Sequence, residues 1–344
     1  MKKSNNTNIK RIAQEAGVST ATVSNVINGN YHKVSKETVD RVKQIINDYN
    51  YSPNGAARSL VSNKSKIIAL LIPNMMLEGG FGEDPYASQM VSLLEQTIQQ
   101  AGYYMMVRCV NRCIEITQLV QTWNADGIIL LGAYPEEVEE ICTKLSDIPV
   151  VFTDTYAPDY PIANVGIDDY KGGYLSAKYL LEKGHRNIAF VGPDENVSAV
   201  INQRCRGFRD ALKEYNLTLD SKDIFIASTS IEDGVKIGKK IIDSNAKYTA
   251  IAAMSDTLAL GIYKSLQDRH INIADDISII GFDNIKACNY TKPTLTTISQ
   301  DLSKKASLVG KHLFEMIKTN KSYAVNEILD VEVIERNSVK DLNN

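Results

Sequence analysis

A chain of 344 residues is longer than one hydrophobic core usually grows, so two or three domains are expected. Its 44% apolar and 23% charged residues exclude a disordered or fibrous protein. The formal net charge of −3 hides an asymmetry: residues 1–66 hold 11 Lys/Arg against 4 Asp/Glu, and the remainder holds 27 against 37. A small basic head on a large acidic body suggests that the head alone meets a polyanion. No stretch approaches the ~18 apolar residues of a membrane-spanning helix, and the opening MKKSNNTNIKRIAQEAG lacks the apolar run of a secretory signal. The five cysteines (Cys109, Cys113, Cys142, Cys205, Cys288) are odd in number and lack C-x-x-C spacing. That predicts reduced thiols in a cytoplasmic protein rather than a disulfide framework or a zinc site.

Three short helices fit the head. The first covers about 9–16, with Asn8 as N-cap, Ile9, Ile12, Ala13 and Ala16 on one face, and Gly17 as a left-handed terminus. The second covers about 20–28 behind Ser19, with Val23, Val26 and Ile27 as packing residues. The third covers about 36–49 behind Ser35, with Val39, Val42, Ile45 and Ile46 apolar. Two short helices joined by a tight Gly-Val-Ser turn over a third apolar one read as helix-turn-helix. NYSPNGAARSLVSNKSK follows as a break at Pro53, one or two helical turns, and a linker.

From residue 67 the pattern alternates strand and helix. Apolar runs lie at 67–73, 103–109, 126–132, 149–154, 188–193, 250–256 and 277–283, and amphipathic segments such as 86–101, 171–184, 203–215, 232–244 and 257–269 separate them. Unalternating β-branched runs between helices indicate buried parallel strands, and two such sets indicate two similar α/β lobes. Ligands of such folds sit beyond the carboxyl ends of the strands, where Asp154, Asp256 and Asp283 stand.

IKRIAQEAGVSTATVSNVING and YSPNGAARSL, followed in order by KGHRNIAFVG, RCRGF, SDTLALG, DISIIGFDN and PTLTTISQD, resemble the LacI/GalR family of bacterial transcription repressors. The match runs over nearly the whole chain. The resemblance implies a multi-domain fold. An all-α helix-turn-helix head occupies 1–50 and a hinge helix with linker 51–65. An α/β periplasmic-binding-protein-like body of two parallel-sheet lobes follows, crossed three times by the chain. Its N-terminal lobe spans 66–164 with 301–325, and its C-terminal lobe 165–300 with 326–340, placing EILDVEVIE in the second lobe.

By position in the family motif, Thr20, Ala21 and Asn25 face bases, and Ser19, Thr22, Ser24 and Asn28 suit phosphates, supported by Ser35 and Thr38. Ser19 and Ser35 fit helix capping equally well. Asn25 departs from the arginine common in the family; asparagine has the donor–acceptor pair that suits adenine, so a different operator preference is expected. Arg11 is either a further phosphate contact or a solvated side chain. Leu60 matches the leucine that wedges into the minor groove, with Ala57 and Arg58 beside it.

The family cleft binds a small molecule, usually a sugar. The resemblance assigns Arg204 of RCRGF to ligand hydroxyls or a ligand carboxylate and Asp283 of GFDN to the matching ligand-binding position, and Asp154 and Ser255 are expected as further contacts. Tyr86 stands where an aromatic often stacks on the ligand, and Asp256 is expected to cap the helix beginning near Leu258. The longer, glycine-rich NMMLEGGFGED reads as a lid or a surface loop; it is no dinucleotide fingerprint.

Scattered His32, His185, His270 and His312 and the absence of G-x-S-x-G argue against an enzyme, and neither metal nor cofactor is expected. The expectation is therefore a cytoplasmic, homodimeric repressor binding pseudo-palindromic double-stranded operator DNA. A sugar controls it; the alternative is a regulator that responds to a nucleoside or other non-sugar effector, or that acts as an effector-dependent activator or a corepressor-requiring repressor. ERNSVKDLNN carries no apolar heptad tail, which favours a dimer over a tetramer.

Overall fold

The computed structural model describes residues 8–27, 29–51, 64–73, 82, 84–111, 116, 122–133, 135–196, 198–244 and 246–343. The chain forms two compact units, residues 1–65 and 66–344. Among the described residues no helix is long and apolar enough to cross a membrane.

The head consists of α1 (Ile9–Ala16), α2 (Thr20–Ile27) and α3 (Lys36–Asp48). Asn8 caps α1 by accepting from the Arg11 N–H, and Gly17 ends it at φ 63°, a left-handed conformation that costs glycine nothing. Ser19 and Ser35 accept from the Thr22 and Thr38 N–H groups, and their hydroxyls pair with those of Thr22 and Thr38 at 2.9 and 2.8 Å. Ile12, Val23 and Val42 are wholly buried at the centre, with Ala13, Ala16, Val26, Val39 and Tyr49 around them. Arg11 lies 5.3 Å from the Tyr49 ring centre, and the Tyr49 hydroxyl donates to Glu15. Of the two readings of Arg11, the structure adds a third, a cation stacked on a core aromatic.

Among the described residues the body has two six-stranded sheets. The first comprises β1 (Ile67–Pro73), β2 (Tyr104–Val110), β3 (Gly127–Leu131), β4 (Val150–Thr153), β5 (Ala163–Ile167) and β11 (Val325–Leu329), in the order β11-β5-β4-β3-β1-β2. All its pairings are parallel. The second comprises β6 (Ile188–Gly192), β7 (Ile224–Ile226), β8 (Ala250–Ala253), β9 (Ser278–Asp283), β10 (Thr296–Gln300) and β12 (Val331–Ile334). Its order is β12-β10-β9-β8-β6-β7, with only β12 antiparallel. Helices α4 (Pro85–Gln100), α5 (Pro135–Lys144) and α10 (Leu302–Thr319) serve the first lobe. Helices α6 (Asp169–Glu182), α7 (Ala199–Glu214), α8 (Ile231–Asp243) and α9 (Asp256–Asp268) serve the second.

Two expected boundaries move. Residues 163–167 form β5 of the first sheet, fully buried between β4 and β11, so the first crossing follows Ile167 instead of residue 164. EILDVEVIE is not one strand of the second lobe: Asp330 divides it, β11 joining the first sheet and β12 the second. The polar residues in ANVGI and the aspartate within EILDVEVIE blur patterns that a sheet resolves through pairing. The crossings therefore fall after Ile167, after Gln300 and at Asp330, and the carboxyl ends of β4, β9 and β10 meet around them.

Candidate effector cleft and DNA-reading surface

In the head, Ser19, Thr20, Ala21 and Ser35 are exposed, and Thr22, Ser24, Asn25 and Thr38 are half-buried. Thr20, Ala21 and Asn25 stand on α2 apart from its buried Val23 and Val26. Asn28, Ala57, Arg58 and Leu60 lie outside the described residues.

In the body, the chain leaves β4 and β9 through Asp154 at φ 47° and Asp283 at φ 115°, positions where non-glycine residues are strained. Such strain is maintained where surrounding structure over-determines the backbone, and it clusters at binding sites. Asp154 meets two groups. The Tyr86 hydroxyl donates to its Oδ2 at 3.0 Å, and Lys305 Nζ lies 2.8 and 2.9 Å from its two oxygens. Tyr86 is set there by the Asp84 cap and Pro85 at the start of α4; the cap accepts from the Tyr86 N–H at 2.8 Å. Its phenol is held far above the usual tyrosine range, by burial first and then by Asp154 and Asp283. The hydroxyl is thus tied to a carboxylate, beyond the stacking role expected of its ring.

The second lobe presents Arg204 and Asp283. Arg204 Nε donates to Asp169 Oδ1 at 2.8 Å and Nη1 to the Met254 carbonyl at 2.7 Å, with the guanidinium 3.5 Å from the Phe282 ring centre. The Tyr156 hydroxyl, from the first lobe, donates to Asp169 Oδ2 at 2.7 Å. The closeness of α6 and α7 makes this pair possible. A Cβ on Gly173 would stand 1.9 Å from the Arg204 carbonyl oxygen, and one on Gly207 1.9 Å from that of Tyr170. Asp283 accepts from Gln300 Nε2 at 2.8 Å, and burial raises its carboxyl well above the ordinary aspartate range against the pull of Arg204. Burial also raises Asp169 and Asp84.

The roles expected of Ser255 and Asp256 change. Ser255, and not Asp256, caps α9, accepting from the Leu258 N–H at 3.2 Å. Asp256 is wholly buried and accepts from the Ile285 N–H, the Cys288 thiol and the Thr297 hydroxyl at 2.9, 3.1 and 2.6 Å. It thereby pins the turn that follows Asp283. Serine caps by accepting on its short side chain, and that suits the position before the helix better than an aspartate committed to three other donors.

Tyr86, Asp154, Arg204 and Asp283 thus converge between the lobes. Sequence reasoning missed Tyr156, Asp169, Gln300 and Lys305. One signal was available for Lys305, which falls on the apolar face of α10 with Leu302, Ala306 and Val309. A charge on such a stripe marks a buried partner.

Residues 8–54 match the model for bacterial regulatory proteins of the lacI family, and residues 177–339 match the periplasmic binding protein-like domain. A transcriptional repressor PurR from Vibrio atlanticus is 32% identical, the alignment covering 97% of this chain and 99% of that protein. A transcriptional regulator MalR from Clostridium butyricum is also 32% identical, covering 96% and 98%. The Lac repressor dimer bound to operator and the anti-inducer ONPF superposes with a TM-score of 0.85 at 23% identity, covering 97% of this chain and 99% of that one. A LacI family regulator from Enterococcus faecium with bound ribose gives 0.71 at 27% identity, covering 80% and 99%. The chain belongs to the LacI family of bacterial regulatory proteins, DNA-binding transcriptional regulators and not enzymes.

Proposed function

We propose that the protein is a cytoplasmic homodimeric repressor whose operator affinity is controlled by a neutral sugar bound between the lobes. The observation that carries the effector reading is the convergence of Asp154, Arg204 and Asp283 from both lobes on one buried polar region. Neighbouring donors and acceptors of this kind select for ligands bearing hydroxyls, because an analogue lacking them leaves buried polar groups unpaired. Among the described residues both buried cations, Arg204 and Lys305, already face carboxylates, which favours an uncharged ligand over an anionic one. The exposed hydroxyls of α2 and Asn25 support base and phosphate contacts by the head, with Asn28, Ala57, Arg58 and Leu60 assigned by resemblance alone. Two heads of a dimer read two half-sites of a pseudo-palindrome.

The test is a gel shift on DNA upstream of the protein's own operon, with and without a panel of neutral sugars and, separately, nucleosides and nucleobases. A sugar-dependent change in operator affinity is expected. A response to purines alone would replace the sugar by the ligand class that the PurR name suggests for those relatives, and failure to bind any DNA would remove the reading altogether.

A further inference from the structure

Lys305 stands in the cleft, where its charge is already matched by Asp154. It is wholly buried on a helix face that otherwise packs apolar residues. An ammonium there is tolerable only when paired and fully hydrogen-bonded. It donates to both oxygens of Asp154 and, at 2.9 Å, to Gln300 Oε1, with the Tyr86 hydroxyl at 3.4 Å.

The bond to Gln300 has a directional consequence. A glutamine side chain accepts at one end of its amide and donates at the other, whereas an ammonium only donates. Lys305 therefore obliges Gln300 to turn its carbonyl toward α10 and its NH2 toward the second lobe, where it donates to Asp283 Oδ1 at 2.8 Å. Oδ1 then spends one of its lone pairs on Gln300, which favours Oδ2 as the oxygen presented to a ligand. The chain Asp154–Lys305–Gln300–Asp283 runs from the end of β4 to the end of β9, across the crossing that follows β10. A second chain, Tyr156–Asp169–Arg204, joins the lobes without Lys305.

We propose that Lys305 is a positioning residue of the cleft: by fixing the orientation of the Gln300 amide it sets which face Asp283 presents to the effector, and it ties the two lobes together there. Its importance for effector response rests on the proposed function, but the positioning itself is a property of the unliganded chain and is tested there.

The experiment is hydrogen–deuterium exchange of the full chain without ligand, comparing wild type, Q300M and D154N/K305M. K305M alone leaves the half-buried Asp154 without its cation and can fail to fold; the double variant removes both charges together. A methionine at 300 keeps the length of the side chain but neither accepts from Lys305 nor donates to Asp283. The amides of residues 283–285, including the Ile285 N–H held by Asp256, are expected to exchange about tenfold faster in both variants, as loss of a charge-assisted hydrogen bond implies. Residues 154–155 should accelerate only in the double variant, and residues 169–172 in neither. The proposal is overturned if residues 283–285 keep their wild-type rate in either variant, or if the change in D154N/K305M stays within β4 and α10. Because no effector is used, a cleft that binds no sugar defeats the functional reading without touching this result.

Discussion

The reading surface of the head and the polar cleft of the body solve opposite problems. On α2 the functional side chains are short, exposed or half-exposed, and they rest on a core of Ile12, Val23 and Val42 that does not involve them. In the cleft Arg204, Asp283 and Lys305 are themselves buried, and each of the two cations is held by a carboxylate: Arg204 by Asp169, Lys305 by Asp154. A surface that meets DNA can leave its donors to water until a phosphate or base edge replaces it. Charges buried between two lobes are cut off from that exchange and must be satisfied within the protein first. Substitutions at the two places should therefore differ in kind: those in the cleft should cost folding stability, and those on α2 should cost DNA affinity.

The largest effect tests the cleft side. R204A leaves Asp169 buried beneath the lost guanidinium, so the body should lose about 3–5 kcal/mol, read by urea unfolding. R204A/D169N should recover part of it. If R204A keeps full stability and loses only the effector response, Arg204 is a ligand contact without a structural role, and the contrast with the head fails.

A second effect is smaller and has a sign. Burial pushes the Asp256 carboxyl up to about 6, from an ordinary value of 3.8. The folded body then holds this proton more tightly than the unfolded chain does. The resulting stabilisation is complete below pH ~4 and declines as pH rises through about 6, by an amount on the order of 1–3 kcal/mol. In D256N that share of the decline should vanish, although the variant is less stable throughout for want of its acceptor oxygens. Melting temperatures of both proteins between pH 4 and 7 decide the matter; parallel curves would refute it.

The same contrast explains what could be read from the sequence. Head helices and caps follow from local signals, since Asn8, Gly17, Ser19 and Ser35 act within a few residues of themselves. Arg204 and Asp283 were recognisable by motif, but their partners were not. Asp169 lies 35 residues before Arg204, and Lys305 lies 151 after Asp154, joined only by the fold. The split of EILDVEVIE was equally hidden, because which sheet a strand joins is decided by pairing, which its own residues do not encode.

On the head side, N25A should leave the unfolding midpoint nearly unchanged and weaken binding to the true operator by about 1–3 kcal/mol, with much less effect on unrelated DNA. Equal losses on both DNAs would make Asn25 a phosphate contact. N25R should shift the preferred base toward guanine, measurable by selection from a randomised operator library.

The smallest effect falls where the two regions' rules overlap. Ser19 is exposed like a DNA contact, yet its Oγ already accepts from the Thr22 N–H at 3.1 Å. S19A should therefore cost the head ~1 kcal/mol of stability, whatever its effect on DNA. S19D separates the roles, because aspartate caps as well as serine and its charge suits a helix N-terminus, while the same charge repels a phosphate. If Ser19 touches the DNA backbone, S19D should keep wild-type stability and bind every DNA sequence more weakly than S19A does. If S19D binds as well as wild type, Ser19 is a cap alone, and the phosphate contacts of α2 begin at Thr22.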